Sequence, residues 1–253
     1  MQVFELIKAI NEISPFSGAF SDDKVGLLIG KSESEVNNII FAHDIDKKLL
    51  KICKEKNINT VVTYHPAVFN DYADLNYENS YGLPLDFLKL GINLISVHTA
   101  LDVCIGGNSD VLAELFNLQN IKSFGNSNEN NNVGRYGEID LISRSEFLNL
   151  VEEKLNTSII RYNKYFEKIE NIKTVGFVPG SGTQFLKELP KNIDVFLTGD
   201  ISHHHMLYAD YYNFGIVQVN HISTEIPGIK KFIQKLSAKL ETKVEYFYES
   251  FYG

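Results

Sequence analysis

Apolar and polar positions along the chain fall into two alternating patterns. Runs rich in β-branched and aromatic residues at 38–43, 59–63, 93–97, 173–178, 195–198 and 216–220 predict strands. Stretches with apolar residues at helical spacing predict helices at 4–13, 47–56, 84–90, 109–116, 145–155 and 226–240. Short strands alternating with helix-length stretches specify an α/β fold with mostly parallel pairing. The stretch 123–132, SFGNSNENNN, breaks both patterns and reads as a loop where one lobe gives way to the next.

Composition narrows the class. A chain of 253 residues with 44% hydrophobic content buries a full core, as one large domain or two lobes. A formal charge of -8 leaves no clustered basic surface for phosphate backbones, so nucleic acid is not an expected partner. Cys53 and Cys104 each sit in an apolar stretch and read as reduced core thiols, not as a disulfide or a thiolate zinc site. Residues 1–7 read as amphipathic helix without a basic leader, and no run approaches the ~20 apolar residues of a membrane span. The expected location is cytoplasmic, with no membrane partner.

The chemistry gathers at strand ends. Strand 59–63 runs into Tyr64-His65-Pro66, strand 93–97 into His98-Thr99-Ala100-Leu101-Asp102, and strand 216–220 into His221, with Glu225 four residues on. Ligands of open α/β sheets bind outside the carboxyl ends of the strands, so these tips are candidates for one crevice. His221 and Glu225 share a face if a helical turn begins near Ser223. Imidazole and carboxylate without thiolate suit zinc, manganese or iron(II), and His65, Asp102, His221 and Glu225 are the candidate ligands.

Six segments then carry a family resemblance: Asp23-Lys24-Val25-Gly26-Leu27, Tyr64-His65-Pro66, His98 to Asp102 with Gly106-Gly107-Asn108-Ser109-Asp110, Gly180-Ser181-Gly182, Thr198-Gly199-Asp200-Ile201-Ser202-His203-His204, and His221-Ile222-Ser223-Thr224-Glu225. In this order they resemble the motifs of the GTP cyclohydrolase 1 type 2 homologues, also called dinuclear metal-centre hexameric proteins. The resemblance covers nearly the whole chain. It implies two interleaved α/β lobes, each a mixed sheet flanked by helices, with 1–125 completed by 213–253 as the first and 126–212 as the second. It also implies a toroidal homohexamer with metal sites facing an internal cavity. Its metal ligands fall on His65, Asp102, His221 and Glu225, the four that strand-end reasoning selects.

A fifth ligand does not carry over, because Tyr64 stands where the family usually has a second histidine. A neutral phenol with reference pKa ~10 is a poor ligand. The expectation is therefore one or two divalent ions per chain, zinc, iron or manganese. Either the second site is weak, or Tyr64 ligates as phenolate beside an ion such as iron(III). Lys24 and Asp200 are milder departures, from Asn and Glu.

His98 matches a position near the metal pocket, as proton shuttle or as structural support, and is a catalytic candidate with Glu225. The run His203-His204-His205 is expected to open a helix and splay its rings. Residues 176–182, GFVPGSG, read as a tight turn or as a phosphate cradle without the Walker lysine. Residues 230–243 read as an amphipathic helix with a solvated lysine face. Two functions follow: a metal-dependent hydrolase of a nucleotide or related small molecule, or a non-catalytic metal-binding hexameric scaffold or metal chaperone.

Overall fold

The computed structural model describes residues 1–68, 82–128 and 131–248. The elements run α1 Val3–Ile13, β1 Gly26–Ile29, β2 Ile39–Ala42, α2 Lys47–Glu55, β3 Thr60–Thr63, α3 Gly82–Lys89, β4 Asn93–Ser96, α4 His98–Val103 and α5 Asn108–Leu115. They continue with β5 Gln119–Asn128, β6 Asn131–Ser143, α6 Arg144–Leu155, β7 Arg161–Tyr162, β8 Asn171–Phe177, β9 Val195–Thr198, α7 His203–Tyr212, β10 Gly215–Gln218, α8 His221–Leu240 and β11 Glu245–Phe247. Every strand and helix expected from the periodicity is present within a few residues. The architecture is α/β with two mixed sheets and helices.

The chain forms two compact units, residues 1–104 with 232–253, and residues 105–231. In the first, the sheet order is β1-β4-β3-β2-β11. β4, β3, β2 and β11 pair in parallel, and β1 closes the edge antiparallel to β4. All residues of β2, β3 and β4 are buried, as expected of parallel strands covered on both faces. Ile40, Val61 and Leu94 pack with Leu49, Leu50 and Cys53 of α2 and Phe87 of α3. Burial pushes the Cys53 thiol up to about 11, so it is an inert core thiol. Asp46 caps α2, its carboxylate accepting from Leu49 N at 2.6 Å.

The second unit holds the sheet β5-β6-β8-β9-β10-β7. β8, β9 and β10 are parallel, while β5, β6 and β7 pair antiparallel. Phe147 and Val151 of α6 pack on Val175, Phe177, Val195, Leu197 and Val217 from these strands. Strand pairing places both β5 and β10 in this sheet. The described residues of the Asn-rich stretch 123–132 belong to strands β5 and β6, with register shifts within their pairing. Its polar residues hid that pairing, since ladder bonds use backbone groups whatever the side chains. Among the described residues no helix is long and apolar enough to cross a membrane.

Candidate metal centre

Parallel strands end at one edge of their sheet, and in the first unit that edge collects imidazoles. His43 follows β2, Tyr64 and His65 follow β3, and His98 opens α4 after β4. The ladder continues past the strand ends: Tyr64 N donates to Ala42 O, His65 N to His43 O and His98 N to Tyr64 O, each at 2.9 Å. The rings pack accordingly, with centroids 5.0 Å apart for Tyr64 and His65, 5.7 Å for Tyr64 and His98, and 5.6 Å for His65 and His98.

A carboxylate stands behind two of these imidazoles. His65 Nδ1 lies 3.0 Å from Asp44 Oδ1, and His98 Nδ1 lies 2.7 Å from Asp23 Oδ1. Such a partner fixes the ring and its tautomer. Asp23 also accepts from the backbone N–H of Thr99 at 3.1 Å and from the Thr99 hydroxyl. Burial raises the Asp23 carboxyl, but the hydrogen bond and charge of His98 and the bonds from Thr99 outweigh it and hold it below its ordinary value. His98 has a φ of 25°. Left-handed backbone at a non-glycine residue persists only where surroundings enforce it and clusters at functional sites. Asp102 is 5% exposed and accepts from the buried Tyr64 hydroxyl at 2.6 Å.

In the second unit the parallel strands β8, β9 and β10 deliver Gly180, Asp200 and His221. Helix α8 starts at His221, five residues before the expected start, with Asn220 Oδ1 accepting from Ser223 N and the Thr224 hydroxyl bonding back to His221 O. His221 and Glu225 therefore share a helix face as the i, i+4 spacing required. His221 Nδ1 lies 2.6 Å from Asp200 Oδ2, and its Nε2 lies 3.0 Å from Glu225 Oε1. Burial works against the imidazolium, yet the hydrogen bond and charge of Glu225, then those of Asp200, push His221 up to about 9.

The chain comes close to this pair through two glycines. A Cβ on Gly180, whose φ is +61°, would lie 2.4 Å from Glu225 Oε1 and 2.9 Å from His221 Nε2. One on Gly199 would lie 2.5 Å from His221 Cα. The 176–182 segment is thus a tight turn, and its donors are used internally: Gly180 N on Thr224 Oγ1 at 2.7 Å and Gly182 N on Thr198 Oγ1 at 3.1 Å. Two of the donors on which a phosphate cradle would draw are therefore engaged within the chain.

The His triplet opens α7, with Ser202 as cap and the His205 ring bonded to Ser202 Oγ at 3.0 Å, while His203 and His204 are exposed. Two supporting residues escaped the sequence reading, Asp44 and Asp200. Asp200 was noted only as a departure from Glu. The signal for both was available, since each directly follows a parallel strand or its first loop residue beside a histidine-bearing strand.

The pair His221 and Glu225 sets a pH dependence in metal-free protein. A folded-state value near 9 against 6.5 for the free side chain means that its stabilisation is complete below pH 6.5 and lost as pH rises to 9. The urea midpoint of metal-free protein is expected to fall across that window, and to fall less in His221→Gln. Equal slopes in the two proteins would refute the assignment.

The sequence model of the Duf34/NIF3 (NGG1p interacting factor 3) family matches residues 1–250. A protein of Clostridium perfringens named GTP cyclohydrolase 1 type 2 homolog is 28% identical over 253 residues, covering 97% of this chain and 95% of that one. Its namesake from Methanocaldococcus jannaschii is 29% identical over 251 residues, covering 96% and 98%. Among solved structures, Staphylococcus aureus protein SA1388 superposes with a TM-score of 0.84 at 25% identity, covering 100% of this chain and 98% of that one. Reduced HcgD from Methanocaldococcus jannaschii superposes with a TM-score of 0.82 at 28% identity, covering 97% of each. With a match that runs from end to end of the described sequence, the chain belongs to the Duf34/NIF3 family.

Proposed function

We propose that this protein binds a divalent metal ion through residues drawn from His65, Asp102, His221 and Glu225, and uses it to hydrolyse a nucleotide or related small molecule. The observation that carries the reading is the carboxylate behind each imidazole: Asp44 on His65 Nδ1 and Asp200 on His221 Nδ1. This is the outer support that metal-ligating histidines characteristically have. The donor set fits zinc, iron or manganese, with two imidazoles, two carboxylates and no thiolate. Buried carboxylates such as Asp102 and Glu225 call for a positive partner, and in the metal-free protein the His221 imidazolium serves Glu225 in that way.

A bound divalent ion supplies Lewis acidity, lowering the pKa of water and polarising the bond under attack. The chain's own groups manage the proton. His98, oriented through Nδ1 by Asp23, takes up and releases a proton at Nε2. Glu225 is the second candidate acceptor for that proton. The nucleotide substrate rests on the name GTP cyclohydrolase 1 type 2 homolog borne by relatives. A cytoplasmic, toroidal homohexamer is the assembly that goes with this reading.

A second reading, a metal-binding scaffold or chaperone without turnover, draws support from Tyr64, whose hydroxyl rests on Asp102 and not on a reacting group. Both readings meet the same test. The full chain is loaded anaerobically with zinc, manganese or iron(II), freed of excess ion, analysed for bound metal and assayed for hydrolysis of GTP and simple phosphoesters. Retained metal with saturable hydrolysis that is lost in His98→Ala supports the hydrolase. Retained metal without hydrolysis supports the scaffold, and no retained metal refutes both.

A further inference from the structure

We infer that a purine base of the substrate stacks on Tyr248, which makes this tyrosine a specificity-determining residue at the sheet edge where His65 lies. This rests on the hydrolase reading above. The aromatic side chains of the first unit form a continuous series. Parallel register sets Tyr246 beside Phe41 and Phe247 beside Ala42, so the next residues, Tyr248 and His43, also come side by side. Ring centroids lie 5.9 Å apart for Phe41 and Tyr246, 6.1 Å for His43 and Tyr246, 6.0 Å for Tyr246 and Tyr248, and 6.2 Å for His43 and Tyr248.

The series runs from the core to the surface. Phe41 is 0% exposed and His43 4%, Tyr246 is half-buried, and Tyr248 is 43% exposed. The rings behind Tyr248 are fixed, since the Tyr246 hydroxyl and His43 Nδ1 are hydrogen-bonded at 2.9 Å. Tyr246 and Tyr248 stand on one side of the chain, as residues two apart in an extended strand do. Tyr248 thus ends a packed series with a flat apolar surface turned partly to solvent.

Its place in the fold selects the ligand. Tyr248 directly follows β11 at the carboxyl edge of the parallel strands, where ligands of open α/β sheets bind. The His43 ring borders both Tyr248 and His65, with centroids 6.2 and 6.0 Å away. One small molecule lying on Tyr248 therefore has its other end beside His65. An alkyl chain there would cover a polar imidazole without satisfying it, whereas a nucleotide directs its sugar and phosphate that way. Stacking on an aromatic ring is indifferent to base identity, because every base has a π-face. Tyr248 therefore separates compounds that carry a base from those that do not, and does not separate guanine from adenine.

The test uses the full chain loaded with zinc, its metal content measured, as wild type, Tyr248→Leu and Tyr248→Phe. The probes are GMP, AMP and ribose 5-phosphate, which differ only in the base, with binding read by equilibrium dialysis. The wild type is expected to bind GMP and AMP alike, both about 5- to 30-fold more tightly than ribose 5-phosphate. That is the lower part of the range for a base stacked on an aromatic ring, because Tyr248 is partly solvated. Tyr248→Leu is expected to lose this advantage and Tyr248→Phe to keep it, with zinc content and ribose 5-phosphate binding the same in all three. Equal binding of GMP and ribose 5-phosphate by the wild type would overturn the inference without any variant. An undiminished preference for GMP in Tyr248→Leu, or its loss in Tyr248→Phe, would also overturn it. Absence of retained zinc in the wild type overturns the metal reading instead, while the preference for GMP still reads the base contact by itself.

Discussion

Replacing His221 with alanine is expected to abolish stoichiometric retention of a divalent ion and to lower the unfolding free energy of the metal-free protein by about 3 kcal/mol. The two effects have one origin. Glu225 is 2% exposed, and the His221 imidazole supplies a donor at 3.0 Å from its Oε1. Alanine leaves that carboxylate buried with its cationic neighbour gone, the situation in which breaking a buried pair is most destabilising. The magnitude sits at the low end of the buried-pair range because the imidazole itself is partly exposed. Elemental analysis after metal loading reads the first effect, and urea unfolding at pH 6.5 reads the second. Full metal retention in His221→Ala would remove His221 from the ligand set. An unchanged urea midpoint would show that the pair contributes nothing to stability.

The second large effect is expected at Gly180, whose substitution by alanine should destabilise the protein by about 2–5 kcal/mol and weaken metal binding more than tenfold. Left-handed backbone costs an alanine roughly 1–2 kcal/mol. Forcing an added carbon into a filled space costs a further ~1–3 kcal/mol. The carbon would meet Glu225 Oε1 at 2.4 Å and His221 Nε2 at 2.9 Å, so relief of the clash must move the two atoms proposed to hold the ion. Gly91 is the control: its φ is +69°, but no heavy atom lies within 4 Å of an added Cβ. Gly91→Ala should therefore show the backbone cost alone and leave metal binding unaltered. Equal metal affinity in Gly180→Ala and Gly91→Ala would refute the close-approach account.

These expectations depend on features of unequal visibility in the chain. His65, Asp102, His221 and Glu225 stand out because each follows a readable strand, and strand and helix periodicities are local properties of the sequence. The strand ends at Thr63, Ser96 and Gln218 confirm that reading to within two residues. The strands β1, β7 and β11 were not legible. They are four, two and three residues long and partly exposed, so they lack the continuous apolar run that marks the equally short buried strands. The Asn-rich part of β5 and β6 was illegible for a different reason, since pairing satisfied backbone groups while the side chains read as loop.

The sequence by itself determined the alternation of strand and helix, the α/β class and the placement of imidazole and carboxylate at strand ends, because each depends on residues within a few positions of one another. Only the tertiary structure decided which strand ends share an edge and what stands behind each ring. Asp44 reaches His65 and Asp200 reaches His221 across 21 residues, Asp23 reaches His98 across 75, and Tyr64 reaches Asp102 across 38. Those partners follow from strand order and register, which arise when the parallel strands align their buried faces; strand-end position marks Asp44 and Asp200 as candidates, but no local pattern encodes which ring each one meets.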